Sequence, residues 1–147
     1  MEEEALYPIA DAEQLINKFL NCTLPKGEFT HEAHLLAGLY LLSKHDDNTL
    51  PIIRQHLKKY LKYIGVESTD TSGYHETMTV YWLHQLKKRF ADKNGKIHWN
   101  QGTVDELIDD EILTERNLWL SHYSKELMMS VEARKKYIEP DIVAVKK

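Results

Sequence analysis

Hydrophobic residues recur at helical spacing along most of the chain, and no convincing pair of strands is present. Residues three or four apart lie on one face of a helix, so this periodicity predicts helices over residues 10–21, 30–43, 51–64, 74–91 and 103–113. Residues 114–129 also have helical spacing, which is interrupted near His122. A last short helix stops before Pro140, because the residue before a proline disfavours helical geometry. We therefore predict an all-α fold, a single-domain helical bundle of about six helices.

Turn and capping residues divide these segments. Pro25 and Gly27 end the first helix, and Thr30 is a suitable N-cap for the second because its hydroxyl can accept a first-turn N–H. Thr103–Glu106 matches a capping box, and Ser130 is expected to cap the last helix. The whole of 1–147 is interpreted as one α-helical domain in which 138–147 form an extended tail.

Length and charge restrict the possible functions. A chain of 147 residues is long enough to bury one hydrophobic core. The 19 basic residues are outnumbered by 23 acidic ones, which gives a net charge of −4 and argues against nucleic acid as a partner. The single cysteine, the acidic start and the absence of a long apolar run predict a cytoplasmic protein without a membrane partner.

Histidines at two predicted helix starts are the most informative polar residues. His31 and His34 lie one turn apart, on the side of the second helix that Leu35 continues. His75 begins the apolar face of the fourth helix, with Glu76 beside it. If the two helix starts are neighbours, three imidazoles and a carboxylate converge on a pocket at the helix N-termini.

Such a convergence predicts a metal site. The positive end of a helix dipole favours neutral imidazole, which is the form that binds metals. His31, His34 and His75 would be ligands, and Glu76 or water would complete a site suited to Zn, Fe, Mn or Ni. Glu76, Tyr74 and Thr79 are the candidate catalytic residues. Trp82 and Tyr40 are expected to form walls of the pocket. The protein would then be a metal-dependent enzyme or sensor acting on a small molecule.

Two other interpretations use the same residues. The unpaired N–H groups of two helix N-termini could bind a small anionic metabolite without a metal. Alternatively, the histidines could be ordinary core-edge residues that bond to backbone carbonyls in a non-catalytic interaction or structural bundle. His56 and His122 are further candidates for reaching the pocket, and a hydrogen-bonded core position is the simpler expectation for His56.

The motifs resemble a widespread, largely uncharacterised family of small all-helical bacterial proteins. The resemblance is carried, in this order, by F-T-H-x-x-H-L at 29–35, Y-H-E-T-x-T at 74–79 and S-x-E-A-R…E-P-D at 130–141. Met78 departs from the branched aliphatic residue usual there. The resemblance indicates which residues are important but implies no particular reaction. Beyond the histidines, these residues are Tyr74, Glu76, Thr77, Thr79, Arg134 and Asp141. It also suggests that Arg134 pairs with Asp141 to hold the C-terminal segment.

Overall fold

The computed structural model describes residues 7–142, and this part of the chain folds into α-helices with no strand. The α-helices are α1 (Ile9–Leu20), α2 (His31–His45), α3 (Thr49–Tyr63), α4 (Glu76–Phe90), α5 (Gln101–Ile108), α6 (Lys125–Met128) and α7 (Val131–Lys135). Short 3-10 helices occupy Lys26–Glu28, Asp46–Asn48 and Leu118–Ser121. The predicted all-α fold is confirmed. None of the helices described is both long and apolar enough to span a membrane.

Capping interactions set the helix ends. Thr30 caps α2 as predicted, because its hydroxyl accepts a hydrogen bond from the Ala33 N–H at 3.2 Å. The predicted capping box at 103–106 is wrong. Asn100 caps α5 instead, by accepting from the Thr103 N–H at 2.9 Å, while the Thr103 hydroxyl accepts from the Asn100 N–H. Asparagine is as good an N-cap as threonine, so α5 begins earlier than expected.

The segment 114–129 contains less helix than its periodicity predicts. It holds only the 3-10 turn Leu118–Ser121 and the four-residue α6. Ser124 caps α6 by accepting from the Leu127 N–H, and Ser130 caps α7 by accepting from the Ala133 N–H, as predicted. Ser124 and Ser130 each begin a separate short helix, so the side chains with helical spacing do not lie on one continuous helix.

Helix α2 lies at the centre of the bundle, where it packs against α1, α3, α4 and α5. It is apolar around nearly its whole circumference and buries eight residues, as expected for a helix enclosed by others. Gly38 allows α4 to approach closely, since a Cβ added there would lie 2.8 Å from Cδ1 of Leu86. The absence of a side chain at position 38 therefore lets α2 and α4 pack closely against each other.

The C-terminal segment is held against α4 by side-chain to backbone hydrogen bonds. The buried Thr77 hydroxyl donates to the Lys136 carbonyl and accepts from the Ile138 N–H. The suggested pairing of Arg134 with Asp141 is wrong. Arg134 donates to the Gly73 carbonyl at 3.0 Å, and Asp141 accepts from the N–H and hydroxyl of Ser124. Within the predicted tail, 138–142 are neither helix nor strand, and 143–147 lie outside the described residues.

Candidate functional site: the histidine cavity

The N-terminal parts of α2 and α4 border a cavity of about 540 Å³, which we call the histidine cavity. His31, His34 and His75 all line it. Most of the remaining wall is hydrophobic, and its apolar members include Phe19, Phe29, Ile53, Leu57, Trp82 and Leu83. The wall therefore combines a large apolar surface with a few polar groups, which is the usual composition of a small-molecule site.

His34 is the most available of the three imidazoles. Its Nδ1–H donates to the Thr30 carbonyl at 2.8 Å, and its ring stacks on Phe29 with the centroids 3.8 Å apart. His34 is an exposed residue that borders the cavity, yet the protein atoms packed around its ring disfavour the imidazolium and lower its pKa to about 4. Among residues 7–142, no side chain or carbonyl bonds its Nε2. At neutral pH this nitrogen is an unprotonated hydrogen-bond acceptor.

The imidazole of His31 is held by contacts with other parts of the fold. Its Nε2–H donates to the Leu113 carbonyl at 2.9 Å, which ties the start of α2 to the loop after α5. The ring meets Trp82 edge to face, with the centroids 4.6 Å apart. This hydrogen bond is the interaction with a backbone carbonyl that we considered for a core-edge histidine.

His75 caps α4 with its ring. Its Nδ1 accepts from the Met78 N–H at 3.1 Å, and its Nε2–H donates to the Met128 carbonyl at 2.7 Å. Desolvation lowers the pKa of His75, so the neutral ring that this arrangement requires is favoured. The sequence placed His75 inside the helix as a metal ligand. Since both nitrogens are occupied, the ring has no lone pair left for a metal.

Glu76 is turned away from the cavity. Its side chain accepts from Arg54 at two positions, Nε to Oε1 at 2.9 Å and Nη2 to Oε2 at 2.6 Å. The Tyr74 hydroxyl adds a third bond, to Oε1 at 2.6 Å. The Arg54 hydrogen bonds hold the pKa of Glu76 below its usual value, and burial raises the pKa of Tyr74. Glu76 is thus an ionised structural anchor, although we predicted it as a ligand and a catalytic group.

Tyr74 and Thr79 do line the cavity, but their hydroxyls already have partners. Tyr74 donates to Glu76, and Thr79 donates to the His75 carbonyl at 2.9 Å. Trp82 forms part of the wall as expected. Tyr40 instead packs edge to face on Trp99, at 5.2 Å. His56 and His122 are not among the described residues that line the cavity.

The predicted metal site finds no matching ligand set. In the described part of the chain, no three His, Cys, Asp or Glu side chains are arranged to hold a metal ion. The three imidazoles border one cavity, but the two occupied nitrogens of His75 and the Arg54 bonds of Glu76 explain why the four predicted ligands do not form a metal site. The metal stays a prediction from sequence, and the donors described do not fit it.

Two cations that sequence reasoning overlooked border the same cavity. Lys26, from the 3-10 turn before α2, and Arg116, from the loop after α5, are both exposed and line it. Neither forms an ion pair with another residue between 7 and 142. Their isolated positions in loops give no periodic signal, so only the fold brings them to one cavity.

Comparison of the chain with protein-family models, with curated proteins and with solved structures finds no match. The family resemblance of the three motifs therefore stays a prediction. Function has to be argued from the site itself.

Proposed function

We propose that the protein binds a small, largely apolar molecule with one carboxylate in the histidine cavity, without a metal ion. The observation that carries this proposal is a cavity of about 540 Å³ whose hydrophobic wall holds an imidazole nitrogen with no partner in the described chain. Small-molecule sites typically occupy about 300–1,000 Å³ and place a few polar groups in an apolar lining.

Apolar burial supplies most of the binding energy in this proposal. Each methylene transferred from water contributes about 0.8 kcal/mol. Leu57, Leu83 and Trp82 offer the surface that an alkyl chain or a ring would cover. A strongly polar metabolite would lose its hydration there without gaining enough partners.

Two cations at the border of the cavity favour an acidic ligand over an uncharged one. Lys26 and Arg116 border the cavity without an ion-pair partner among the residues described, so each offers a counter-charge to a carboxylate that lies near it. Both side chains are exposed and each contributes modestly, as surface ion pairs do. They therefore select between ligands of equal apolar size.

His34 supports a second candidate function, general-base catalysis on the same ligand. A neutral imidazole with an unpartnered Nε2 can accept a proton from a bound hydroxyl. The stack on Phe29 and the bond to Thr30 would hold the ring in place. Diethyl pyrocarbonate, which acylates unprotonated imidazole, should modify His34 rapidly, and octanoate should protect it.

The binding proposal is tested by calorimetric titration with octanoate and with 1-octanol, its uncharged counterpart. Leu57→Trp fills the cavity and should weaken both ligands about tenfold, because burial of one or two methylenes is lost. Leu50→Trp makes the same exchange outside the lining residues and should leave both affinities unchanged.

Charge selectivity is tested with Lys26→Gln and Arg116→Gln. Each should weaken octanoate about threefold and leave 1-octanol unaffected, as expected for an exposed ion pair. Lys93→Gln, in an exposed turn, is the matched control. Equal affinities of wild type and Leu57→Trp for octanoate would exclude the cavity as the binding site.

A further inference from the structure

A second hollow, which we call the basic pocket, lies between α3, α7 and the loop that joins α3 to α4. Its volume is about 470 Å³, and its polar lining includes five cations, Arg54, Lys58, Arg134, Lys135 and Lys136, against the carboxylates of Asp70 and Glu76. This excess of positive charge contrasts with the net charge of −4 of the whole chain. We propose that the basic pocket binds the phosphate group of a small phosphorylated molecule.

Both carboxylates already have counter-charges. Glu76 is bonded to Arg54 through both of its oxygens, and Asp70 lies 3.2 Å from the Lys135 ammonium. The remaining cations, Lys58, Arg134 and Lys136, form no ion pair within residues 7–142. Three unmatched cations around one concavity suit a phosphate dianion better than a carboxylate, which carries a single charge.

Arg134 supplies the most specific feature. Its Nη1 donates to the Gly73 carbonyl at 3.0 Å, whereas its buried Nε has no hydrogen-bond partner. This Nε has almost no accessible surface, so a ligand in the pocket would be bound by the terminal Nη donors, of which Nη2 forms no hydrogen bond within the described residues. Arginine presents several donors in a fixed plane, and this geometry matches phosphate oxygens.

The pocket is also preorganised. In the α3–α4 loop, the Ser72 hydroxyl donates to the Glu67 carbonyl at 2.9 Å, and the Thr69 N–H donates to the Ser72 carbonyl. Gly73 has φ +91°, and a Cβ there would lie 2.6 Å from Cα of Ser68. Lys58 lies over the Tyr74 ring, 5.2 Å from its centroid. Binding therefore requires little new ordering of the backbone.

The experiment is titration with inorganic phosphate, followed by calorimetry and by the 31P linewidth. The double variant Lys58→Gln/Lys136→Gln should weaken phosphate about tenfold, since charge-assisted hydrogen bonds are removed at two positions. The control Lys88→Gln/Lys93→Gln makes the same charge change on exposed residues outside the pocket and should alter affinity less than about twofold.

Arg134→Lys keeps the charge but removes the planar guanidinium with its Nη donors, and it too should weaken phosphate. If that variant unfolds, the lysine pair still decides the outcome, because neither lysine forms an ion pair within the described chain. Equal losses in the lysine pair and its control, or no binding of phosphate to the wild type at millimolar concentration, would overturn the proposal. Octanoate affinity should be the same with and without phosphate, so the two sites are tested separately.

Discussion

The histidine cavity and the basic pocket share the side chain of Tyr74 but differ in almost every other property. The cavity has an apolar wall, a neutral imidazole acceptor and two exposed cations. The basic pocket has a polar lining rich in cations and hydroxyls. Tyr74 borders both sites, and its hydroxyl donates a hydrogen bond to Glu76, which lines the basic pocket. The comparison shows that two adjacent residues of one motif, His75 and Glu76, face different environments.

The largest expected effect comes from removing the anchor between the two sites. Glu76→Gln keeps the shape but loses the charge that holds Arg54 and Tyr74, and we expect it to lower the free energy of unfolding by about 2 kcal/mol. Denaturant unfolding measures this change. Glu111→Gln, on an exposed loop, is the matched control.

The same variant sharpens the comparison of the two sites. Because Glu76 does not line the histidine cavity, the folded Glu76→Gln protein should bind octanoate as the wild type does. A loss of octanoate affinity of about tenfold or more would place Glu76 in the cavity and contradict the separation proposed.

An intermediate effect is expected in tryptophan fluorescence. Trp82 and Trp119 line the cavity, whereas Trp99 packs on Tyr40 and donates to Glu13 at 2.8 Å. Octanoate should therefore change the emission of the wild type and of Trp99→Phe. In Trp82→Phe/Trp119→Phe this change should be lost, while phosphate should alter none of the spectra. An octanoate response confined to Trp99 would indicate binding elsewhere.

The smallest effect concerns pH. Because the pKa of His34 falls from 6.5 to about 4 on folding, the unfolded chain binds more protons between those values. The contribution of His34 to stability is complete above pH 6.5 and is lost as the pH falls toward 4. Thermal unfolding across this range should show a shallower acid slope in His34→Gln than in the wild type.

His45→Gln, at the opposite end of α2, controls for the loss of an imidazole outside the cavity. An equal change of slope in His45→Gln would show that the effect does not arise from the environment of His34. No change in His34→Gln would contradict the desolvated ring on which the cavity proposal depends.

Part of the site was predictable because it depends on local chemistry. Thr30 as a cap and the one-turn spacing of His31 and His34 follow from neighbouring residues. The role of His75 as a helix cap could not be predicted from the sequence. Its ring nitrogens form hydrogen bonds with Met78 nearby and with Met128, which lies 53 residues away in sequence. A histidine that caps a helix has the same sequence signal as one that binds a ligand.

The basic pocket left only a weak signal. Arg54 and Lys58 are four residues apart and so lie on one face of α3, but nothing local indicates that Glu76 neutralises the first and leaves the second unmatched. The run of basic residues Arg134, Lys135 and Lys136 is typical, in sequence alone, of a solvated basic face near a helix end. Folding instead places them beside the α3–α4 loop, where Arg134 binds Gly73.

By itself the sequence determined an all-helical chain, the boundaries of α1 to α4 to within two residues and the caps at Thr30 and Ser130, whereas α5 ends at Ile108 and not near residue 113 as predicted. These depend on periodicity and on hydrogen bonds between residues close in sequence. Only the tertiary structure decided which polar side chains share a hollow and which neutralise one another. Contacts such as Arg54 with Glu76 and His31 with Leu113 join distant segments, and their partners are chosen by how the helices pack.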